Sequence, residues 1–207
     1  MRAQTTEIRY VALGDSYTIG TGTTPDRSWP AVLTRHLQSQ GLNIRLVANP
    51  AQAGWTTQEA ILRELPVFEE SDPNFATLMI GVNDWVQGMN PGVFRNNFAF
   101  LLDEMVRVLG RPDRLLVVNI PDFSYMPSGK VFSGGRDISQ GIADFNSIIA
   151  QETARRGIKV VDIFSGSAQS ASNPLYISSD GLHPSAEGYV LWENMIYPAV
   201  AGMLLDK

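Results

Sequence analysis

Near its N-terminus the chain reads Ile8-Arg9-Tyr10-Val11-Ala12-Leu13-Gly14-Asp15-Ser16. The segment from Ile8 to Leu13 is rich in residues that favour a strand, and this pattern stops at Gly14. Ser16 is therefore expected at the carboxyl end of a first strand, which is the edge where open α/β sheets bind their ligands. A serine hydroxyl is a weak nucleophile by itself, so this interpretation requires a base and an oxyanion site elsewhere in the chain.

Strand and helix patterns alternate five times along the rest of the sequence. The further strands are predicted at 43–49, 75–80, 115–120 and 158–163. Helices are predicted from Ser28 to Gly41, Thr56 to Pro66, Phe94 to Gly110, Asp137 to Gly157 and Pro184 to Val200. This alternation predicts an α/β protein with a doubly wound parallel sheet of five strands between two helix layers. No linker or repeat divides the chain, so we expect a single domain over residues 1–207.

Composition and charge exclude several classes of function. A net charge of −5 gives no reason to expect nucleic acid as a partner. The absence of cysteine excludes disulfides, thiolate metal sites and a cysteine nucleophile. Residues 1–7 lack the apolar stretch of a signal peptide, and no later segment is long and apolar enough to span a bilayer. We therefore expect a cytoplasmic monomer without integral membrane association, with a removed secretion signal as the open alternative.

The chain contains two histidines, His36 and His183, that could act as a base. His36 falls within a helical pattern, and we interpret it as a partly buried side chain with a backbone partner. His183 follows the fifth predicted strand, at the same edge of the sheet as Ser16. Asp180 precedes His183 by three residues, close enough to accept a proton from the imidazole and fix its tautomer. The alternative for this pair is a helix-entry turn with a capping carboxylate.

Gly54 and Asn83 are candidate contributors to an oxyanion site. Gly54 lies in the loop after the second predicted strand, where a residue without Cβ lets the backbone approach a substrate closely. Asn83 lies in the loop after the third strand, where its amide NH₂ could donate. A glycine in a turn and an asparagine that caps a helix are the structural alternatives.

These motifs together resemble the SGNH/GDSL hydrolases. Gly14-Asp15-Ser16-Tyr17 is similar to the Gly-Asp-Ser-Leu block of this family, with Tyr17 in place of leucine, and Ser16, Gly54, Asn83 and His183 match its four blocks. Gly81-Val82-Asn83-Asp84 and Asp180-Gly181-Leu182-His183-Pro184 fit the third and fourth blocks. Ala51 stands where the family often has glycine, three residues before Gly54.

The resemblance implies a flavodoxin-like sheet with strand order 2-1-3-4-5 and a metal-independent serine hydrolase that acts on esters without a cofactor. Ser16 would be the nucleophile, His183 the general base and Asp180 the residue that orients it. The N–H groups of Ser16 and Gly54 and the Asn83 amide would form the oxyanion hole. A small-molecule ester is the implied substrate, and Asp15, Asn49 and Asp84 would brace the loops of the site.

Two other classes of function remain open from the sequence. One is a catalytically idle binding module with the same sheet, and the other is a metal-dependent hydrolase that uses Asp180 and His183 as ligands. Zinc sites are built mainly from cysteine and histidine. Because this chain has one further histidine and no cysteine, a zinc site on Asp180 and His183 would be of an uncommon kind.

The substrate is predicted less directly than the reaction. Tyr17, Trp55 and Trp85 are candidate substrate-binding residues, and the two tryptophans are equally typical of the core. The long segments 121–136 and 164–179 are candidate lids, because long loops in compact domains tend to be functional. Their apolar residues favour short-to-medium acyl or aryl esters. Lysophospholipids or thioesters come second, and O-acetylated carbohydrates third.

Overall fold

A computed structural model describes residues 7–205 of the chain. The strands in this part of the chain are β1 (Ile8–Gly14), β2 (Ile44–Ala48), β3 (Phe75–Met79), β4 (Leu115–Val118) and β5 (Lys159–Val161). All neighbours pair in parallel, in the order β2-β1-β3-β4-β5. The predicted five-stranded sheet and its strand order are confirmed.

Nine α-helices are described between residues 7 and 205. They are α1 (Ser16–Ile19), α2 (Trp29–Ser39), α3 (Thr57–Glu59), α4 (Leu65–Glu70), α5 (Val82–Val86), α6 (Pro91–Leu109), α7 (Ile138–Arg156), α8 (Ser167–Ala171) and α9 (Ala186–Leu204). Helix α2 packs against α9 and α6 packs against α7, and helices cover both sides of the sheet. None of the helices in the described part of the chain is long and apolar enough to cross a membrane.

The core follows from the burial of the central strands on both faces. Every residue of β3 and β4 is buried, as expected for parallel strands covered by helices on each side. Helix α6 packs into this core through Phe94 and Phe98. The Phe94 ring stacks on Phe145 of α7, with ring centroids 4.5 Å apart. Offset aromatic stacking of this kind adds to the free energy gained by burial.

The helix that begins at Thr56 does not end at Pro66, contrary to the prediction. Thr56 caps α3 through a reciprocal pair of hydrogen bonds with Glu59. The chain then widens into a π-helical turn, Ala60–Glu64, and continues as α4 to Glu70. A proline lacks the N–H of a regular α-helical turn and its ring crowds the preceding turn. The wider π turn accommodates this residue, so the helix continues.

Two predicted helix starts differ in detail from the observed ones. Ser28 precedes α2, but its hydroxyl donates to the Pro25 carbonyl at 2.8 Å and does not cap the helix. Pro184 lies before α9 rather than within its first turn, and it forms an antiparallel bridge with Ile177. The cap of α9 is Ser185, whose hydroxyl accepts from the Gly188 N–H. The bridge fixes the chain directly after His183.

Candidate active site

Ser16, His183 and Asp180 form a continuous hydrogen-bonded chain at the carboxyl edge of the sheet. His183 Nε2 lies 2.9 Å from Ser16 Oγ, and His183 Nδ1 lies 2.7 Å from Asp180 Oδ2. Ser16 comes directly from the turn after β1, and the other two come from the turn before α9. With Nδ1 donating to the carboxylate, Nε2 is left to accept the serine proton.

Asp180 is held as an ionised carboxylate by four hydrogen bonds. Oδ1 accepts from Ser178 Oγ at 2.7 Å, from the Leu182 N–H at 2.8 Å and from the His183 N–H at 2.9 Å, which leaves Oδ2 for the imidazole. Burial by itself would raise the pKa of Asp180, but the hydrogen bonds from Ser178, His183 and Leu182 outweigh it and hold the pKa well below its usual range. The carboxylate is therefore charged and fixed in direction.

Gly54 and Asn83 border the same cavity as Ser16 and His183. Gly54 has a φ of +84°, a conformation that favours glycine, and its Cα faces open space. The Asn83 amide donates one N–H to the Trp55 carbonyl at 2.8 Å. An amide NH₂ has two N–H bonds, so the second is free to meet a ligand. The turn around Gly54 is fixed by Gln87, whose amide donates to the Gly54 carbonyl at 3.2 Å.

The cavity beside Ser16 has a volume of about 180 Å³ and is mainly apolar. Its lining consists of Ser16, Tyr17, Ala53, Gly54, Val82, Asn83, Val86, Phe123, Phe132, Leu182 and His183. Phe123 and Phe132 belong to 121–136, one of the two candidate lids predicted from the sequence. Val82, Val86 and Leu182 were not predicted to line a cavity, because isolated apolar residues near the motif positions carry no periodic signal. No residue of the other candidate lid, 164–179, lines this cavity.

The three candidate substrate-binding aromatics occupy different places. Tyr17 lines the cavity and contacts His183 edge to face, with ring centroids 5.4 Å apart. Trp55 and Trp85 are not among the residues that line this cavity. Trp85 is buried beneath the Arg136 guanidinium, which lies 4.1 Å from the ring centroid. Trp55 contributes its backbone carbonyl, which holds Asn83.

Three further residues of the motifs brace the loops around the site. Asp15 is buried and accepts from the Tyr17 N–H at 3.0 Å. The Asn49 amide donates to the Thr18 carbonyl at 3.0 Å. Asp84 accepts from the Thr57 N–H and hydroxyl, which joins the start of α3 to α5. Burial raises the pKa of Asp15 to about 8, with a further contribution from the charge of Asp84.

His36 lies away from the site, as predicted, but its partner is a side chain and not the backbone. Its Nδ1 is 2.9 Å from Glu193 Oε1, and its ring stacks on Tyr197 at a centroid distance of 3.7 Å. These contacts connect α2 with α9. No group of three or more His, Cys, Asp or Glu side chains within residues 7–205 is arranged to hold a metal ion.

Comparison with solved structures shows that the fold is shared with several bacterial hydrolases. A crystal structure of TesA matches with a TM-score of 0.76 and 20% identity, covering 95% of this chain and 99% of that one. The family 3 carbohydrate esterase of Clostridium thermocellum matches with a TM-score of 0.71 and 23% identity, over 93% of this chain and 94% of the other.

Sequence comparison gives two similar characterised proteins and a family. The arylesterase of Vibrio mimicus is 23% identical over 179 residues, which cover 86% of this chain and 81% of that protein. Esterase TesA of Pseudomonas aeruginosa is 22% identical over 194 residues, 94% of this chain and 88% of the relative. The model of the GDSL-like lipase/acylhydrolase family matches residues 12–191. The chain belongs to the GDSL-like lipase/acylhydrolase family.

Proposed function

We propose that this protein hydrolyses carboxylic esters with short-to-medium acyl or aryl groups through an acyl-enzyme on Ser16. The observation that carries the proposal is the 2.9 Å contact between His183 Nε2 and Ser16 Oγ, backed by the 2.7 Å contact between His183 Nδ1 and Asp180. A serine becomes nucleophilic when an adjacent base takes its proton, and the base must itself be oriented.

The reaction has two half-reactions. Ser16 Oγ attacks the ester carbonyl while His183 Nε2 takes the hydroxyl proton, and the imidazolium is stabilised by Asp180. The tetrahedral intermediate collapses when the bond to the leaving oxygen breaks, and His183 returns the proton to that oxygen. A water molecule then attacks the acyl-enzyme, with His183 as base, and releases the carboxylic acid and free Ser16.

The developing oxyanion needs donors that are oriented before the reaction. We assign this role to the N–H groups of Ser16 and Gly54 and to the free N–H of the Asn83 amide. The second hydrogen bond of Asn83, to the Trp55 carbonyl, holds the amide in position. The open space at the Gly54 Cα lets a carbonyl approach this backbone without a steric clash.

The size and chemistry of the cavity support the proposed acyl range. Its volume of about 180 Å³ lies below the roughly 300–1,000 Å³ of pockets that hold drug-sized ligands, which favours a small acyl or aryl group. Val82, Val86, Phe123, Phe132 and Leu182 form its apolar wall, which favours a hydrocarbon chain or an aryl ring. No Lys or Arg side chain is part of this lining, so the cavity lacks a partner for an anionic group such as a phosphate.

The test compares wild type with Ser16→Ala on nitrophenyl esters from acetate to dodecanoate, with an acetylated sugar and a thioester in parallel. We expect wild type to hydrolyse the esters from butanoate through octanoate faster than the shorter and longer ones. Ser16→Ala should lose at least a thousandfold in kcat. Ser39→Ala, on the exposed end of α2, is the matched control and should match wild type. An organophosphonate should label Ser16 in wild type.

Two results would contradict the proposal. One is turnover by Ser16→Ala at the wild-type rate, which would show that another group is the nucleophile. The other is a wild-type protein that neither hydrolyses any of the esters nor reacts with the phosphonate, which would indicate the idle binding module. A strong preference for the acetylated sugar over every nitrophenyl ester would instead favour carbohydrate O-acetyl esters as substrates.

A further inference from the structure

Glu64 is a buried carboxyl group that the proposed reaction does not use. Its side chain has no exposed surface, and Oε2 accepts a hydrogen bond from the Gly14 N–H at 2.8 Å. Oε1 has no hydrogen-bond partner among the described residues. Gly14 ends β1 two residues before Ser16, so Glu64 holds the backbone that leads into Ser16. A buried carboxyl group with one unpaired oxygen costs stability, which an apolar side chain would avoid.

The π-helical turn gives Glu64 its place behind β1. The turn spans Ala60–Glu64 and is closed by a hydrogen bond from the Leu65 N–H to the Ala60 carbonyl. Pro66 follows in the first turn of α4, and the wider turn accommodates its missing N–H and its ring. The turn contacts β1 directly. Single π turns within helices recur at functional sites, where they redirect a side chain.

The peptide at Gly14 is also confined from other sides. A Cβ at this position would overlap the Thr18 hydroxyl oxygen and the Met79 carbonyl oxygen. Three residues after Gly14, the Tyr17 N–H donates to Asp15 at 3.0 Å. The turn that carries Ser16 is therefore fixed at one end by Asp15 and at the other end by Glu64, and between them lies the Oγ that meets His183.

The electrostatics of the Glu64 and Asp15 carboxyl groups fit a role in which both are uncharged and hold the turn that carries Ser16. Burial raises the pKa of Glu64 to about 8, and the charge of Asp15 adds to the shift. The carboxyl group of Asp15 acts on Glu64, and the carboxyl group of Asp84 acts on Asp15 in turn. Below about pH 8 both Asp15 and Glu64 keep their protons, which avoids two unscreened negative charges behind the serine.

We propose that Glu64 is a positioning residue for Ser16, since its carboxyl group fixes the Gly14 peptide and so holds the turn that aims the Ser16 hydroxyl at His183. This inference rests on the proposed function of Ser16. Glu64 does not touch the substrate. It acts through the backbone, so its loss should lower the rate of the chemical step and leave substrate binding nearly unchanged.

The test uses three substitutions of Glu64 that separate its acidic proton, its hydrogen-bond acceptor and its reach. Glu64→Gln keeps an acceptor for the Gly14 N–H and removes the acidic proton. Glu64→Met keeps a similar length and removes the acceptor, and it should fold because a buried apolar side chain replaces an unpaired carboxyl oxygen. Glu64→Asp keeps the carboxyl but withdraws it by one methylene, and it replaces Glu64→Met if that variant is unfolded. Glu70→Gln, exposed on α4, is the matched control.

The readouts are kcat, KM and the rate constant for phosphonate labelling of Ser16, each measured on protein that is folded by circular dichroism. We expect Glu64→Met, or Glu64→Asp in its place, to lose at least tenfold in kcat and in labelling rate, with KM within twofold of wild type. Glu64→Gln should recover the rate to within threefold of wild type, because an amide oxygen accepts the same hydrogen bond.

Either of two outcomes overturns the inference. The first is a wild-type labelling rate in Glu64→Met, or in Glu64→Asp where that variant is used. The second is a Glu64→Gln variant that is as slow as Glu64→Met, which would show that the acceptor is not what matters. Failure of the proposed function is distinguishable, because wild type itself would then leave Ser16 unlabelled.

Discussion

The direction of the Asp180 carboxylate depends on a neighbour outside the motifs. Ser178 precedes Asp180 by two residues and donates to Oδ1 at 2.7 Å, which keeps Oδ2 turned toward His183. From the other side, the Ser128 hydroxyl donates to the Asp180 carbonyl at 2.9 Å. The loop after β4 therefore supports the turn that contains Asp180 and His183. A serine in a polar loop gives no sequence signal of such a contact, so these roles of Ser178 and Ser128 could not be predicted from the sequence.

Ser178→Ala is expected to lower kcat about fivefold, because a single hydrogen bond is worth about 1 kcal/mol. The Asp180 carboxylate would keep its backbone donors but gain freedom to rotate away from His183. Steady-state kinetics on a butanoate ester measures the effect. Ser165→Ala is the control, since the Ser165 hydroxyl donates to Asp162 in the same kind of local pair, in an exposed loop away from the cavity. Equal activity of the two variants would show that Ser178 does not orient the acid.

At the level of elements, the short helical turn Gly129–Phe132 closes one side of the cavity. The Phe132 side chain lines the cavity yet remains 40% exposed, so it stands at the mouth. The helical turn is attached to the turn that contains Asp180 and His183 through the Ser128 N–H, which donates to the Gly181 carbonyl at 2.9 Å. This arrangement predicts that Phe132 limits the length of the acyl chain.

Phe132→Ala should therefore shift the preference toward longer acyl chains. Each additional buried methylene contributes about 0.8 kcal/mol, so two methylenes gained at the mouth correspond to about a tenfold rise in the kcat/KM ratio of decanoate to hexanoate. The ratio is measured with nitrophenyl esters. Val131→Ala is the control, because Val131 is the neighbouring residue, is 79% exposed and does not line the cavity. An unchanged ratio in Phe132→Ala would place the limit elsewhere in the wall.

The elements also show what the sequence could and could not predict. The five strands and the long helices followed from runs and periodicities of apolar residues, since burial between two layers imposes those patterns. The continuation of the helix past Pro66 was not predicted, because a π turn has no signature in local propensity and depends on packing against β1. The cavity wall could not be predicted from the sequence either, because Val82 and Leu182 become neighbours only once the loops fold back over the sheet edge.

For the molecule as a whole, buried carboxyl groups with a lowered pKa and those with a raised pKa change the free energy of unfolding in opposite directions as the pH rises. Glu152 lies between α6 and α7 and bonds with Arg95, Arg155 and Arg156. Burial opposes ionisation, but hydrogen bonds from Arg95 and Arg156 outweigh it and lower the pKa of Glu152. This carboxylate contributes stability above its unfolded pKa, near 4, and loses that contribution as the pH falls through its folded value.

Asp15 and Glu64 have the reverse effect, since burial raises the pKa of each to about 8. In the unfolded chain both groups release their protons near pH 4, whereas in the folded protein they keep them until about pH 8. Below the unfolded pKa both groups are protonated in the folded and the unfolded protein, and their contribution to stability is fully present. As the pH rises toward 8, the unfolded chain releases protons that the folded protein keeps, so the free energy of unfolding falls.

The free energy of unfolding should accordingly peak near pH 4, between the pH ranges in which the two kinds of carboxyl group lose their contributions. We expect Tm to fall from pH 5 to pH 8.5, by about 2–4 °C for each kcal/mol of stability lost in a domain of this size. Thermal unfolding in buffers of equal ionic strength measures it. Glu64→Gln should show a shallower fall and Glu70→Gln the wild-type fall, since the Glu70 side chain is exposed. A Tm that is flat or rises over this range in wild type would mean that Asp15 and Glu64 ionise in the folded protein at their ordinary pKa.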